Sequence, residues 1–167
     1  MKSLWIALSL GVALVASACS KDEQAAAPPA QTMTADATGH YCGMLLSEHS
    51  GPKGQIQLAS GGKPVWFTSV RDTFAFLDLP EEPKDVVAIY VSDMGAAANW
   101  EQPGADNWIA ADGAFFVIES DREGGMGGSE AVPFGKEDAA AAFVAEHGGR
   151  VVGFADAKAA LATGAAN

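Results

Sequence analysis

Two stretches of the chain repeat one pattern. Residues 66–77 read "WFTSVRDTFAFL" and residues 133–144 read "PFGKEDAAAAFV". Each runs from a short apolar strand, through a polar turn, into a helix with an acidic residue in its first turn. The flanking sequence extends both copies in the same order. "QIQLAS" at 55–60 alternates apolar and polar residues, as a half-buried strand does. Gly61-Gly62 allows a hairpin into "KPVWFTS" at 63–69. Ser69 or Thr68 can cap a helix from Val70, with Val70, Phe74 and Leu77 on one face. Pro80 and Pro83 end that helix, and "DVVAIYVSD" at 85–93 reads as a buried strand. The second copy runs "GAFFVIES", "EAVPFG", a helix over "KEDAAAAFVAEHGG" stopped by Gly148-Gly149, and a closing strand "RVVGFAD". The expectation is an α+β fold of two tandem ββαβ units packed together, since one such unit buries little apolar surface alone.

The amino end is of a different kind. Met1-Lys2 and the apolar run "SLWIALSLGVALVAS" have the make-up of an export signal and are too short for a comfortable membrane span. The run closes on Ala16-Ser17-Ala18-Cys19, which resembles a bacterial lipobox, although the usual Leu is missing. Cys19 is then the lipidated first mature residue, so the expected protein is anchored to a membrane rather than spanning it. Ser20 in the next position favours the outer membrane, with the folded body facing the periplasm. "SKDEQAAAPPAQTMTADAT" at 20–38 is polar, rich in Ala and Pro and without periodicity, and reads as a flexible tether.

The formal net charge of −11 argues against nucleic acid and anionic membrane surfaces as partners. The chain has no G-x-S-x-G elbow, phosphate loop, C-x-x-C or H-E-x-x-H. Three histidines, at 40, 49 and 147, leave little for a His-rich zinc site. With Cys19 taken by lipid, Cys42 is an unpaired thiol in an oxidising compartment, where it needs a reason to persist.

Soft donors supply one. Thiolate and thioether together select Cu(I) over Zn(II), Ca(II) or Mg(II). In extended backbone, Cys42 and Met44 share a side, and Gly43 lets the chain bend round an ion. Met126, in "EGGMGGSE", is an apolar side chain with only glycines beside it and is suited to be a mobile ligand. His40 and His49 are imidazoles within reach. Met94 could approach the same site or simply pack, and His147 suits a helix C-terminus. A thiol-dependent lyase or reductase on Cys42 is the competing expectation. The resulting boundaries are 1–18 for the signal, 19–39 for the lipidated tether and 40–104 for a metal-binding segment with the first ββαβ unit. The second unit takes 105–156, and a C-terminal tail 157–167.

"YCGM", "EHSGPKGQI", "VWFTSVRD", "GGMG" and "VPFGKEDAAAAF", behind a lipobox and a tether, resemble the NosL family. The likeness runs from about His40 to Asp156. It implies two ββαβ units and a periplasmic role in delivering Cu(I), without turnover, for assembly of the copper centre of nitrous oxide reductase. The implied partners are that reductase and the membrane transporter complex of the same assembly system. The resemblance carries Cys42 and Met44 over as ligands, Met126 as a site member, and favours His49 over His40. Binding within one chain and sharing of the ion across a homodimer both stay open.

Overall fold

The computed structural model describes residues 27–163. The export segment and Cys19 therefore lie outside the described residues. Strands β1 (Gly54–Leu58), β2 (Val65–Phe67), β3 (Val86–Ser92) and β4 (Trp108–Ala110) form an antiparallel sheet in the order β2-β1-β3-β4. Strands β5 (Phe115–Ile118), β6 (Val132–Phe134) and β7 (Arg150–Val152) form a second antiparallel sheet in the order β6-β5-β7. Helix α1 (Val70–Asp78) follows β2, and α2 (Glu137–His147) follows β6. The duplicated ββαβ pattern is thus present in space: β1, β2, α1 and β3 correspond to β5, β6, α2 and β7.

The start of α1 decides how the halves meet. A helix leaves its first backbone N–H groups without internal partners. Ser69 Oγ accepts from Asp72 N–H at 3.0 Å, as a capping serine should. The Val70 and Arg71 N–H groups donate to the carboxylate of Glu130, at 3.1 and 3.0 Å, across 60 and 59 residues. Glu130 lies just ahead of β6 and is 2% exposed. The helix of the first unit is therefore capped by a side chain of the second. The main core forms behind this joint, with Val70 and Phe74 of α1, Val91 of β3 and Phe116 and Ile118 of β5 in one buried cluster. Phe74 and Phe116 meet edge to face at 5.5 Å.

Three expectations change. First, β4 belongs to the first sheet, pairing Trp108 with Ser92, although residue 108 falls in the second sequence unit. Second, "RVVGFAD" is not one strand. It stops at Val152, and Phe154–Ala162 forms helix α3. The described part of the expected tail is core: Ala157, Ala160 and Leu161 are buried, and Phe154 packs edge to face on Phe74 at 5.3 Å. Alanine favours helix and lets this one approach the sheets closely.

Third, the described part of the tether is not free of the body. Ile56 of β1 faces the core, so Gln55 and Gln57 face the other way. They are nonetheless buried, because residues 28–33 cross that face. Gln55 Oε1 accepts from Gln31 N–H at 2.9 Å, and Gln55 Nε2 donates to Gln31 O at 2.9 Å, so one side-chain amide imitates a strand pairing. Gln57 Nε2 donates to Pro29 O at 2.6 Å and Tyr90 Oη to Pro28 O at 2.7 Å. The polar half of an alternating strand was read as solvent-facing when it was in fact hydrogen-bonded to chain.

Gln55→Ala removes both bonds to Gln31, which then has to find water in a partly closed site. The expected cost is about 1–3 kcal/mol. Urea unfolding checks it, together with faster amide exchange at Gln31; unchanged stability and exchange would mean that the segment does not dock.

Candidate metal centre

Three loops converge on the link between β2 and α1. The first holds Cys42. Gly43 N–H donates to Gly39 O at 2.8 Å and Gly39 N–H to Met44 O at 2.9 Å, with Gly43 at φ 67°. Cys42 therefore sits in a tight turn, and the same-side rule for extended backbone does not apply to it. The turn is fixed to β2 by His40 N–H donating to Trp66 O at 2.8 Å. Cys42 is half-buried, and its sulfur lies 3.9 Å from the Thr68 hydroxyl. A Cβ at residue 39 would come within 2.7 Å of Cys42 Sγ and 3.0 Å of Thr68 Cγ2, so only glycine leaves the sulfur this place.

The second loop holds His49. Its Nδ1 lies 2.9 Å from the carbonyl oxygen of Gly125. A carbonyl only accepts, so Nδ1 carries a proton and, in the neutral ring, Nε2 keeps its lone pair. Nε2 is buried and, among the described residues, has no hydrogen-bond partner. An imidazole held by one nitrogen, with the other unsatisfied, is arranged as metal-binding histidines are. Buried Lys53 fixes this loop by donating to Ser50 O at 2.8 Å and Gly51 O at 2.7 Å. Burial pulls the Lys53 ammonium down to about 8, with the charge of Glu130 acting the other way.

The third loop is "GGMGG". Gly127 N–H donates to Gly124 O at 2.8 Å and Gly124 N–H to Gly128 O at 3.0 Å, which closes it on itself. It docks through Gly125, where a Cβ would lie 2.7 Å from Ser50 O, 2.9 Å from His49 Cβ and 3.0 Å from Thr68 O. This close approach brings the loop that carries Met126 against His49 and Thr68. Met44 and Met126 are 40% and 48% exposed, two of the few large apolar side chains left outside.

The structure thus joins the segments of Cys42, His49 and Met126, with Met44 next to the first. Two other candidates are engaged elsewhere. His40 Nε2 lies 3.0 Å from Glu82 Oε1, and its ring packs edge to face on Phe76 at 5.4 Å. The adjacent Tyr41 hydroxyl is pushed up by burial, with Glu82 as hydrogen-bond partner and nearby charge. Met94 packs against the cluster of Val117, Val132, Phe134 and Ala140. Among the described residues, no three His, Cys, Asp or Glu side chains gather as a metal site. What the loops offer is sulfur and imidazole. The sequence reading did not find Gly39, Gly125, Lys53 or Glu130, because each acts through contacts with distant backbone or side chains that no short motif displays, and it offered Thr68 only as a helix cap rather than as the neighbour of Cys42.

These observations define a class: a duplicated ββαβ scaffold that carries a sulfur-and-imidazole cluster on loops held by buried polar groups. The chain belongs to the NosL family, whose sequence model matches residues 29–162. A copper-binding lipoprotein NosL of Achromobacter cycloclastes is 52% identical over 141 residues, 84% of this chain and 72% of that protein. The copper-binding lipoprotein NosL of Stutzerimonas stutzeri is 36% identical over 128 residues, 77% of this chain and 65% of that protein. The crystal structure of the copper chaperone NosL from Shewanella denitrificans matches with a TM-score of 0.70 at 36% identity, covering 77% of this chain and 96% of that one.

Burial pushes the Glu130 carboxyl up to about 7, against the pull of the Ala131, Val70 and Arg71 N–H donors; the charge of Asp72 adds to the rise. A carboxyl raised on folding stabilises fully below its unfolded pKa and loses that contribution as pH climbs through the folded value. The stability advantage of the wild type over Glu130→Gln is therefore expected to shrink by roughly 2–3 kcal/mol between about pH 4.5 and pH 8. Denaturant unfolding of both proteins across that range measures it; parallel pH profiles would contradict the assignment.

Proposed function

We propose that this protein takes up Cu(I) on Cys42, Met44, Met126 and His49 and passes it on by ligand exchange, without turnover. The observation that carries the reading is the seating of the Met126 loop, through Gly125, against His49 and Thr68, with the Cys42 sulfur against the same threonine. The relatives named above as copper-binding lipoproteins and a copper chaperone support it. Cu(I) favours thiolate and thioether and makes few demands on geometry. An acceptor's ligand can therefore enter before a donor's leaves, and the exposed methionines leave room for it. The resemblance supports a destination as well: the copper centre of nitrous oxide reductase, reached through that enzyme and its membrane transporter complex. In this reading Cys19 carries the lipid and the body faces the periplasm, at the outer membrane if Ser20 has its usual effect. A thiol enzyme is less well supported, because the side chain beside Cys42 is a neutral hydroxyl rather than a base.

Cu(I) binding by the full chain is measured anaerobically against a Cu(I)-specific chelator. Cys42→Ala is expected to lose more than about 100-fold in affinity, beyond what loss of an outer hydrogen-bond partner causes. Met44→Ala, Met126→Ala and His49→Ala are expected to lose about tenfold each, roughly 1.4 kcal/mol. Affinity should fall as pH drops, because the thiol must give up its proton to bind. Unchanged affinity in Cys42→Ala would refute the copper assignment. Unchanged affinity in His49→Ala would remove that residue alone from the set.

A further inference from the structure

Thr68 has a hydroxyl with no structural duty. The cap of α1 is made by Ser69 and Glu130, so Thr68 is not needed there. Its side chain is buried, and buried hydroxyls are ordinarily hydrogen-bonded. Its contact is the Cys42 sulfur at 3.9 Å, at the long end for a bond involving sulfur. Gly39 makes room for this pair, since a Cβ there would come within 2.7 Å of the sulfur and 3.0 Å of Thr68 Cγ2. In the neutral protein either the thiol or the hydroxyl can donate. Once Cys42 has released its proton to solvent and holds a cation as thiolate, only Thr68 has a proton to give. The bond then runs from Thr68 Oγ1–H to Sγ.

A hydrogen bond onto a metal-bound thiolate stabilises the charged sulfur and draws density from the metal–sulfur bond, and loss of such an outer partner costs metal affinity. We propose that Thr68 is a tuning residue for the Cys42 sulfur: its hydroxyl donates to the thiolate once the ion is held, stabilises the loaded state and so sets how readily the ion is surrendered. This rests on the copper reading above. Removing this hydroxyl without changing the shape of the side chain should lower affinity, and a side chain that keeps the hydroxyl should restore it.

The test uses the full chain carrying Cys19→Ala, so that Cys42 is its one remaining thiol. Thr68→Val is expected to bind Cu(I) about three- to tenfold more weakly, the size of one hydrogen bond. It should release the ion to a competing chelator correspondingly faster, and the sulfur-to-copper charge-transfer band should move to lower energy. Thr68→Ser should restore wild-type behaviour. A copper-free arm uses the infrared S–H stretch of Cys42, expected to shift in Thr68→Val and return in Thr68→Ser. Unchanged or tighter copper binding in Thr68→Val overturns the inference, and so does an unshifted S–H band, whatever copper does. If Cys42→Ala binds copper as well as its parent, the copper reading fails and takes this inference with it; that result differs from a tuning failure, in which Cys42 matters and Thr68 does not.

Discussion

The Glu130 carboxylate is the joint on which the molecule turns. It accepts from Val70 and Arg71 at the start of α1 and from its own neighbour Ala131. An acidic group at a helix N-terminus is favoured by the orphan donors and by the helix dipole together. Here it comes from the opposite unit, so capping the helix and joining the halves are one interaction. Both sides of the joint lead to the candidate metal centre. Immediately before α1 stands Thr68, against the Cys42 sulfur, and immediately before Glu130 stands the loop of Met126. A displacement of this carboxylate would separate the very segments whose meeting makes the cluster.

Burial of Glu130 and Lys53 is costly, and the structure offsets that cost with backbone. Glu130 receives backbone N–H groups, while Lys53 donates to the carbonyls of Ser50 and Gly51. Buried charges satisfied in this way fix loops that have little apolar content of their own. The loop of Met126 is short and rich in glycine, and apolar packing does little to hold it, whereas the Cys42 loop also packs through Leu46, His40 and Tyr41. A rigid polar frame under exposed sulfur donors reconciles two needs. The imidazole keeps one orientation, while the thioethers remain open to the surface.

Much of the scaffold was legible in the sequence. The alternation of 55–60, the Gly61-Gly62 turn and the capped helix from Val70 each follow local rules, and local rules repeated in the second half gave the duplication. What was not legible depended on tertiary partners. Gln55 and Gln57 look like a solvent face, and nothing near them announces that the amino-terminal segment will bond to their amides. "RVVGFAD" has strand-like residues to its end, but Phe154 finds Phe74 and Phe116 only in the assembled core. The candidate ligands were visible by type, because a thiol and thioethers are rare and chemically marked. Where the others are engaged was not: Met94 and His40 have the right chemistry, but Met94 packs in the second cluster and His40 meets Glu82. Gly39 and Gly125 were invisible for the opposite reason, since their role is the absence of a Cβ where other chains come close.

Exposure of Met44 and Met126 has an energetic side. Fully burying a methionine gains roughly 1.5–3 kcal/mol over leaving it in water, and the fold collects only part of that gain for these two, which stay 40% and 48% exposed. Met126 cannot fold back easily, because the loop that carries it is closed on itself and pressed against Ser50 and Thr68 through Gly125. The unclaimed gain is available to whatever covers these side chains next. For the carrier role proposed above this would be a useful asymmetry. Cys42 lies against Thr68 and His49 is held by Gly125, while the partly exposed methionines are left open to an acceptor's surface. On that reading, a docking surface that buries them would compete for the donor's soft ligands, and transfer would need no large conformational change in the scaffold.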